Sequence, residues 1–489
     1  MTVAEWDVGI LSAPGKVFPL GTQDISLSFF KYRSRQVVGC LYPRKKSLLP
    51  GDHPPGHRLI FADTMLTEKY RRLFYNFFSL GAVQAISSLA QLVVVPHVIS
   101  KIGVDGYGMV SVAQVLMFFL SVITDYGFNQ TATRDIALNR DNRSRLSEIF
   151  SATLASKLFL CLVCLIILLM LIAGIPFFRS HTQLYLTAFT FVLGQALMVN
   201  WFFLGLEKMQ FITYLTLVAR LLFALLVFIF IRERGDAHLF LLFLGGGNVV
   251  AGLISILWAR RMAGLTWKRP SRALVWHELK EGWHYMLSHL SNSSCHYANI
   301  FILRIFTGDL VVGFYSIAER VYFSIKQVFA VFSQAVYPKV CILLAENRRQ
   351  AFSFLRQVYL PFLAMISAGC VFLFIEAKEV IRLFIPDPAT SSVLYLRYFC
   401  LIAWVVCLNI PATLLLLAMD QKRAYLSVYS AAAVINILAN MLLVQYLEAK
   451  GTVLAVLITE LFITSALSRA IFRLNTRQAT TRAGLPDNP

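Results

Sequence analysis

Long apolar segments recur along the chain from about residue 74 onwards, and they restrict the folds that it can adopt. Each runs for roughly 20 residues, the length of helix that crosses the hydrocarbon core of a bilayer. Of the 489 residues, 57% are hydrophobic and only 15% are charged, a composition too apolar for a soluble globular protein. The chain is therefore predicted to be an all-α polytopic membrane protein. Its about twelve transmembrane helices are expected near 74–95, 107–128, 151–175, 183–205, 211–231, 239–259, 284–306, 310–336, 355–376, 391–418, 425–446 and 452–473.

Lysine and arginine are distributed unevenly between the short connections of these spans, and the net charge is +19. Because basic residues mark the cytoplasmic loops of membrane proteins, this charge indicates orientation and needs no nucleic-acid partner. The set of connections predicted to be cytoplasmic holds Arg134, Arg140, Arg143, Arg145, Arg260, Arg261, Lys268, Arg269, Arg272, Lys280, Lys339, Arg348, Arg349, Lys422 and Arg423. The opposite set holds Lys101, Arg179, Arg232, Arg234, Lys378, Arg382 and Lys450. An even number of spans then places both termini in the cytoplasm.

Residues 1–64 differ from the rest of the chain. They contain several prolines and basic residues and no long apolar run. They are predicted to be either a disordered cytosolic extension or the product of a misassigned start, since the first span follows soon after Met65. The remainder divides into an N-terminal six-helix bundle over 65–268, a C-terminal six-helix bundle over 269–475 and a cytoplasmic tail over 476–489.

The two predicted bundles carry a related segment at an offset of 205 residues, because Gly103–Gln114 is similar to Gly308–Glu319. Six spans separate the copies, an even number, so both have the same orientation. The sequence thus predicts a pseudo-two-fold axis along the membrane normal and a central cavity between the bundles, as in parallel-repeat transporters. The offset pairs Gly108 with Gly313, Ser111 with Ser316, Gln114 with Glu319, Phe118 with Phe323 and Ser121 with Lys326.

Polar stripes on two apolar helices indicate what faces this cavity. Their members recur every three or four residues, so each stripe occupies one helical face. Ionisable groups at membrane depth are costly and persist beside a bundle interior or a water-filled cavity, although polar residues can also simply join helices. One stripe holds His289, Asn292, His296 and Asn299; the other holds Ser316, Glu319, Phe323 and Lys326, with Arg320 beside it. A metal site is not expected, since His289 and His296 are separated by a rise of about 10 Å.

Further polar residues within the spans are candidates for the same cavity. Arg220 lies near the middle of the fifth span, where a side chain cannot easily reach the interface, and its alternative is a buried ion pair. Lys157 and Arg304 lie near span ends, so both are predicted to extend to the interface. The acids that could carry protons or pair with these cations are Asp125, Glu319 and Glu460. Asn436 and Asn440, one turn apart, either bind sugar hydroxyls or join helices.

Several motifs give the chain a resemblance to a known family. They are Gly103-x-x-x-Tyr107-Gly108, Trp201–Met209, Asn436-x-x-x-Asn440, Gly451 and Glu460, in that order along about 65–475. With them the chain resembles the polysaccharide transporter family of the multidrug/oligosaccharidyl-lipid/polysaccharide exporter superfamily, and most of all O-antigen flippases of the Wzx type. It departs from the family pattern at Val444–Tyr446, where a proline is usual, and in its N-terminal extension.

The resemblance implies a transporter rather than an enzyme, with no catalytic residue, cofactor or resident metal. Its substrate would be an undecaprenyl-diphosphate-linked oligosaccharide, moved from the cytoplasmic to the periplasmic leaflet of the bacterial inner membrane by alternating access. A proton or sodium ion would drive the movement, and membrane lipid and other polysaccharide-assembly proteins would be partners. Arg220, Arg320, Lys326, His289, Asn292, His296, Asn436 and Asn440 are the candidate substrate-binding residues, and Asp125, Glu319 and Glu460 are the candidate ion-coupling residues. The alternatives are a drug or metabolite antiporter of the same superfamily and, less favoured, a membrane polysaccharide polymerase or glycosyltransferase.

The charge asymmetry makes a prediction about topology. Alkaline phosphatase folds actively only outside the cytoplasm, so a fusion after Arg477 should be inactive and one within 376–388 should be active. Phosphatase activity of whole cells, normalised to fusion protein, measures this. The reverse pattern of activity would place the arginine-rich connections in the periplasm and exclude the proposed orientation.

Overall fold

The computed structural model of the chain describes residues 93–270, 272–387, 389–419 and 421–483. Every regular element in these ranges is helical, which agrees with the predicted all-α class. The described residues all belong to one compact unit. The expectations for residues 1–64, for most of the span at 74–95 and for the end of the tail lie outside the described residues.

The helices follow one another with short connections. We number them α1 (93–125), α2 (Phe128–Leu138), α3 (Arg143–Gly174), α4 (Pro176–Ser180), α5 (Thr182–Leu197), α6 (Asn200–Gly205), α7 (Met209–Phe230), α8 (Ala237–Ala263), α9 (Arg272–Phe306), α10 (Asp309–Glu346), α11 (Arg348–Ile375), α12 (Ala377–Arg382), α13 (Thr390–Ala418) and α14 (Lys422–Ala483). A single 3₁₀ turn, Arg234–Asp236, precedes α8.

Nine helical segments of the described part are long and apolar enough to cross a membrane. Each predicted span from the second to the twelfth overlaps a described helix, and the fourth overlaps two, α5 and α6. Several of these helices continue well beyond the predicted ends. The helix over the seventh span, α9, is not one of the nine. It is 35 residues long, but its histidines, serines and asparagines make it more polar than the other long helices.

Backbone breaks inside two of these helices mark the ends of spans. Gly103 adopts a φ of 80° and separates 93–102 from 104–125 within α1. Glu448 adopts a φ of 50° and divides α14 into two segments, 422–447 and 449–483. A left-handed residue cannot continue a right-handed helix, so the chain changes direction at each point. The break at Glu448 falls between the predicted eleventh and twelfth spans.

The two copies of the sequence repeat touch each other through their glycines. A Cβ atom on Gly108 would overlap the carbonyl oxygen of Asp309, and one on Gly313 would overlap the carbonyl oxygen of Val104. Asp309 is the repeat equivalent of Val104, as Gly313 is of Gly108. The contact is therefore reciprocal, which is the relation that a local two-fold axis produces. It brings the start of the 104–125 segment of α1 against the first turn of α10.

This contact predicts that the two glycines are equally intolerant of a side chain. Gly108→Ala and Gly313→Ala should each lower the free energy of unfolding by about 1–3 kcal/mol, because the added methyl group overlaps backbone that cannot move alone. Thermal unfolding of the purified protein in detergent measures the effect. Gly246→Ala is the matched control, since a Cβ there meets no atom within 4 Å. Unchanged stability in the two repeat variants would show that the helices are farther apart than described.

Candidate functional site

A cavity of about 330 Å³ lies between α1 and α10. The helix of the first repeat copy contributes Ser111, Gln114 and Phe118 to its wall, and the helix of the second copy contributes their equivalents Ser316, Glu319 and Phe323. The remaining described wall residues are Val115, Phe191, Gln195, Arg220, Leu244, Tyr297, Ile300, Arg320 and Gln327. In each helix the three residues are spaced three or four positions apart and so share one face. The two faces meet at the cavity.

Arg320 extends from α10 towards α1 across one wall of the cavity. Its guanidinium group donates hydrogen bonds to the Tyr107 hydroxyl at 3.2 Å and to Oε1 of Gln114 at 3.1 Å. Both acceptors are neutral, so the positive charge of the arginine is not cancelled by them. A guanidinium group at the cavity wall can bond a phosphate oxygen.

Arg220 enters the same cavity from α7. It lies close enough to Arg320 for the two guanidinium groups to repel each other. No described carboxylate lies within ion-pair distance of Arg220, so the expected alternative, a buried ion pair, is not seen in the described residues. Two neighbouring cations beside amide and hydroxyl groups form an arrangement suited to a phosphate or diphosphate group.

Glu319 and Glu460 border a second, smaller space of about 20 Å³ on the other side of α10. Both acids are buried. Nδ2 of Asn409 donates to Oε2 of Glu460 at 3.3 Å. The side-chain oxygens of Asn409 and Asn436 have no hydrogen-bond donor among the described residues. A void of this size is large enough for one water molecule or a small cation.

Lys326 is placed differently from the two arginines. It is not among the described residues that line the larger cavity. Its ammonium group lies 5.4 Å from the ring centroid of Tyr322 and 5.8 Å from that of Phe323. Aromatic faces attract cations at such distances. Lys326 thus belongs to the aromatic wall beside Glu319 rather than to the space between Arg220 and Arg320.

Two of the candidate amide and histidine residues bond side chains of neighbouring helical segments. Asn440 donates from Nδ2 to Oδ1 of Asn299 at 2.9 Å, and Asn436 donates from Nδ2 to Oγ1 of Thr459 at 3.2 Å. These bonds are those expected if the asparagines join helices. His289 is exposed, with its Nε2 3.3 Å from Nε2 of Gln130. The side chains of Asn292 and His296 lie outside the described residues.

The expectation that Lys157 reaches the membrane interface is wrong. Its side chain is 2% exposed, and its ammonium group donates to Oδ1 of Asp125 at 2.9 Å and to the carbonyl oxygen of Gln195 at 2.9 Å. The helix of the fourth span breaks at this level, between Leu197 and Asn200. The break leaves carbonyl groups without helical partners, and Lys157 binds one of them. Asp125 is thus an ion-pair partner rather than a free interfacial acid.

Arg304 also has a specific partner. Its guanidinium group donates to Oδ2 of Asp309 at 3.0 Å and lies 4.6 Å from the centroid of the Phe177 ring. This pair links the end of α9 to the start of α10. The prediction that Arg304 simply extends to the interface is therefore replaced by an ion pair next to the repeat contact.

Three residues of interest were not predicted from the sequence. Tyr297 falls between two members of the α9 stripe, and Gln195 lies in an otherwise apolar helix, yet both line the cavity. Glu278 lies before the seventh span. It is buried and accepts a hydrogen bond from the Thr153 hydroxyl at 3.1 Å. Burial raises the pKa of Glu278 to about 8. Residues such as these become visible only once the helices are packed.

Comparisons with known proteins agree with the sequence-based resemblance. The family described as "Polysaccharide biosynthesis protein" matches residues 73–341. A protein of Escherichia coli (strain K12) named "Putative O-antigen transporter" is 23% identical over 393 residues, which cover 80% of this chain and 95% of that protein. A protein of Shigella dysenteriae with the same name is 26% identical over 401 residues, covering 81% of this chain and 99% of that one. These relatives are named as transporters and not as enzymes.

Solved structures show the same fold. The chain is similar to a lipid II flippase, MurJ, in an inward closed conformation, with a TM-score of 0.63 and 13% identity over 80% of this chain and 87% of that one. It is also similar to a multidrug resistance MATE family transporter of the MOP superfamily in an inward-facing conformation. That TM-score is 0.60, with 15% identity over 82% of this chain and 96% of that one.

The buried position of Lys157 makes a prediction about stability. The Lys157 side chain is buried, whereas Asp125 is 35% exposed. Asp125→Asn therefore leaves a buried charge without compensation, and Lys157→Met removes the bonds of the ammonium group, so each should destabilise the protein. The double variant should lose less free energy of unfolding than the two single variants lose together. The difference, the coupling energy, should be about 1–3 kcal/mol. Thermal unfolding of the four proteins measures it.

The ion pair between Lys268 and Glu148 provides the control for this cycle. Its two atoms are 2.8 Å apart, but both side chains are about one-third exposed. Its coupling energy should stay below about 1 kcal/mol. Additive effects of the Lys157 and Asp125 substitutions would mean that the two side chains do not interact in the folded protein.

Proposed function

This chain belongs to the polysaccharide biosynthesis protein family, and we propose that it carries a lipid-linked oligosaccharide across the bacterial inner membrane. The nine apolar helical segments of the described part make it a multi-pass membrane protein. The substrate class is an oligosaccharide joined through a diphosphate to undecaprenol, moved from the cytoplasmic to the periplasmic leaflet. Both curated relatives are named for O-antigen transport, which supports this class.

The pair of arginines in the cavity is the observation that carries the proposal. A diphosphate has two or more negative charges at neutral pH, and guanidinium groups match its geometry. Gln114, Gln195 and Ser316 supply uncharged polar groups to the same wall, as hydroxyl-rich ligands require. The cavity of about 330 Å³ is of the size that would take the diphosphate and roughly one sugar. A longer oligosaccharide would need the cavity to open.

Opening is proposed to occur by alternating access of two halves, 65–268 and 269–475, each with six spans. The reciprocal contact of Gly108 and Gly313 supports a two-fold relation between them. It also supplies a point with small residues about which α1 and α10 can tilt. In this mechanism the arginines face the cytoplasm in one state and the periplasm in the other, and both termini stay in the cytoplasm.

A proton or sodium ion is proposed to drive the cycle through Glu319 and Glu460. Glu319 lines both the larger cavity and the smaller void, so it connects the substrate space with the space beside Glu460. The unbonded oxygens of Asn409 and Asn436 are ligands that a sodium ion accepts, whereas carboxylates alone suffice for a proton. Asp125 is a weaker candidate for coupling, because Lys157 already holds it.

A drug exporter of the same superfamily is the competing function. Many drugs that membrane exporters carry are hydrophobic cations, and Arg220 and Arg320 would repel a cation in the cavity. The proposed function therefore predicts transport of an anionic lipid and no selection for cationic compounds. Drug-dependent growth of cells that produce the protein separates the two functions.

Arg220→Ala should abolish most of the transport. We expect surface polysaccharide to fall at least about tenfold, because a charge-assisted contact to phosphate is worth about 1.5–3 kcal/mol. Lipid-linked repeat units should accumulate on the cytoplasmic side. Gel analysis of surface polysaccharide measures the first, and mass spectrometry of extracted lipids the second, in cells whose own transporter has been deleted.

Two further variants control this experiment. Arg220→Lys keeps the charge and should retain part of the activity. Arg397→Ala removes an arginine whose Nε bonds the carbonyl oxygen of Phe374, away from the cavity, and should transport normally. Normal surface polysaccharide in a stably inserted Arg220→Ala protein would exclude the cationic cavity as the substrate site.

A further inference from the structure

Three aromatic rings form a stack against the wall of the cavity. The ring centroid of Tyr297 lies 4.1 Å from that of Phe118 and 5.9 Å from that of Phe323. The planes of Tyr297 and Phe323 are inclined by only 17°. All three residues line the cavity and are half-buried. They therefore border the cavity, and Tyr297 also packs against the apolar core.

The two phenylalanines of this stack are equivalent positions of the repeat. Phe118 comes from α1 and Phe323 from α10, so both copies of the repeat present a ring to Tyr297 of α9. Phe323 follows Arg320 by three residues, a helical rise of about 4.5 Å. Each ring thus lies about one turn along its helix from polar residues of the cavity wall.

The chemistry of the stack suits a sugar. An aromatic face is electron-rich, whereas its edge is electron-poor. The carbon-bound hydrogens of a pyranose are electron-poor, because each ring carbon carries an oxygen atom, and they gather on the faces of the ring. A pyranose therefore lies flat against an aromatic ring and directs its hydroxyl groups sideways, where the amide groups of Gln114 and Gln195 border the same cavity.

We propose that Tyr297 and Phe323 form the binding site for the first sugar of the substrate, the pyranose attached directly to the diphosphate. This inference rests on the proposed function, since it takes the diphosphate to be at Arg220 and Arg320. The sugar follows the diphosphate directly along the ligand. Phe323 follows Arg320 along α10 at a rise of about 4.5 Å, which is about the length of one sugar ring. The pyranose replaces the contact between Tyr297 and Phe323, which is the longer of the two ring contacts.

The test compares two ligands that share a lipid diphosphate, one with a free terminal phosphate and one with a sugar attached to it. Farnesyl diphosphate and farnesyl diphosphoryl-N-acetylglucosamine are titrated by calorimetry into the full-length protein in lipid nanodiscs. Phe323→Leu should weaken binding of the sugar-bearing ligand by about three- to tenfold and change binding of farnesyl diphosphate by less than about twofold. Arg220→Ala should weaken the binding of both ligands by the same factor. Phe323→Tyr, which keeps the ring, should bind both ligands as the unmodified protein does.

Phe332→Leu is the matched control on the same helix. Phe332 stacks on Phe362 with centroids 3.8 Å apart and is not among the described cavity residues, so neither affinity should change. Equal weakening of both ligands by Phe323→Leu, or no weakening of either, overturns the sugar site while leaving the cationic site standing. If neither ligand binds the unmodified protein, the proposed function fails and the sugar site fails with it.

Discussion

The close approach of α1 and α10 at Gly108 and Gly313 sets the geometry of the described part of the molecule. Two helix backbones can touch only where side chains are absent, and each glycine meets the backbone of the opposite helix. One turn farther on, Ser111 and Ser316 already line the cavity. The residues after them along each stripe are larger. The gradation from glycine to serine to glutamine or glutamate thus accompanies the opening of the cavity from the contact outwards.

The two copies of the repeat share positions but not chemistry. Gln114 corresponds to Glu319, and Ser121 corresponds to Lys326. At these pairs the first copy has neutral side chains, whereas the second has charged ones. Such charges are expensive unless they are bonded or hydrated. Arg320 is compensated by the first copy, through Tyr107 and Gln114. The difference in charge between the copies is thus accompanied by a hydrogen-bonded contact that joins them.

Helical periodicity explains why much of this site could be predicted from the sequence. A stripe is a local property, since residues three or four positions apart share a face whatever the helix packs against. The repeat then indicated which two stripes meet. The position of Lys157 could not be derived in this way. Residue count gives depth in the membrane but not direction around the helix. Nothing in Met198-Val199 signals that the fourth span breaks beside this lysine, because no glycine or proline is present there.

The position of Tyr297 could not be predicted from residue spacing either. It lies beside the α9 stripe and not on it, so its place against Phe118 and Phe323 depends on how three helices are rotated together. Burial of Lys157 depends in the same way on α1, α3 and α5. Contacts within one helix can be predicted from spacing, whereas contacts among three helices require the packing itself. The spacing within single helices predicted which residues line the cavity. The packing of three helices determines which ligand the cavity can bind.

Two different kinds of link now surround the cavity. Lys157 connects Asp125 at the end of α1 with the carbonyl oxygen of Gln195 on α5, so two walls are fixed by a buried ion pair. Away from the glycine contact, the described links between α1 and α10 include the hydrogen bonds from Arg320 to two neutral acceptors and the stack around Tyr297. A diphosphate bonds a guanidinium group more strongly than a phenol or an amide does. On the proposed function, the ligand would therefore take Arg320 from Tyr107 and Gln114. Substrate binding would then weaken those contacts that have to break when the two halves separate, and leave the fixed walls intact.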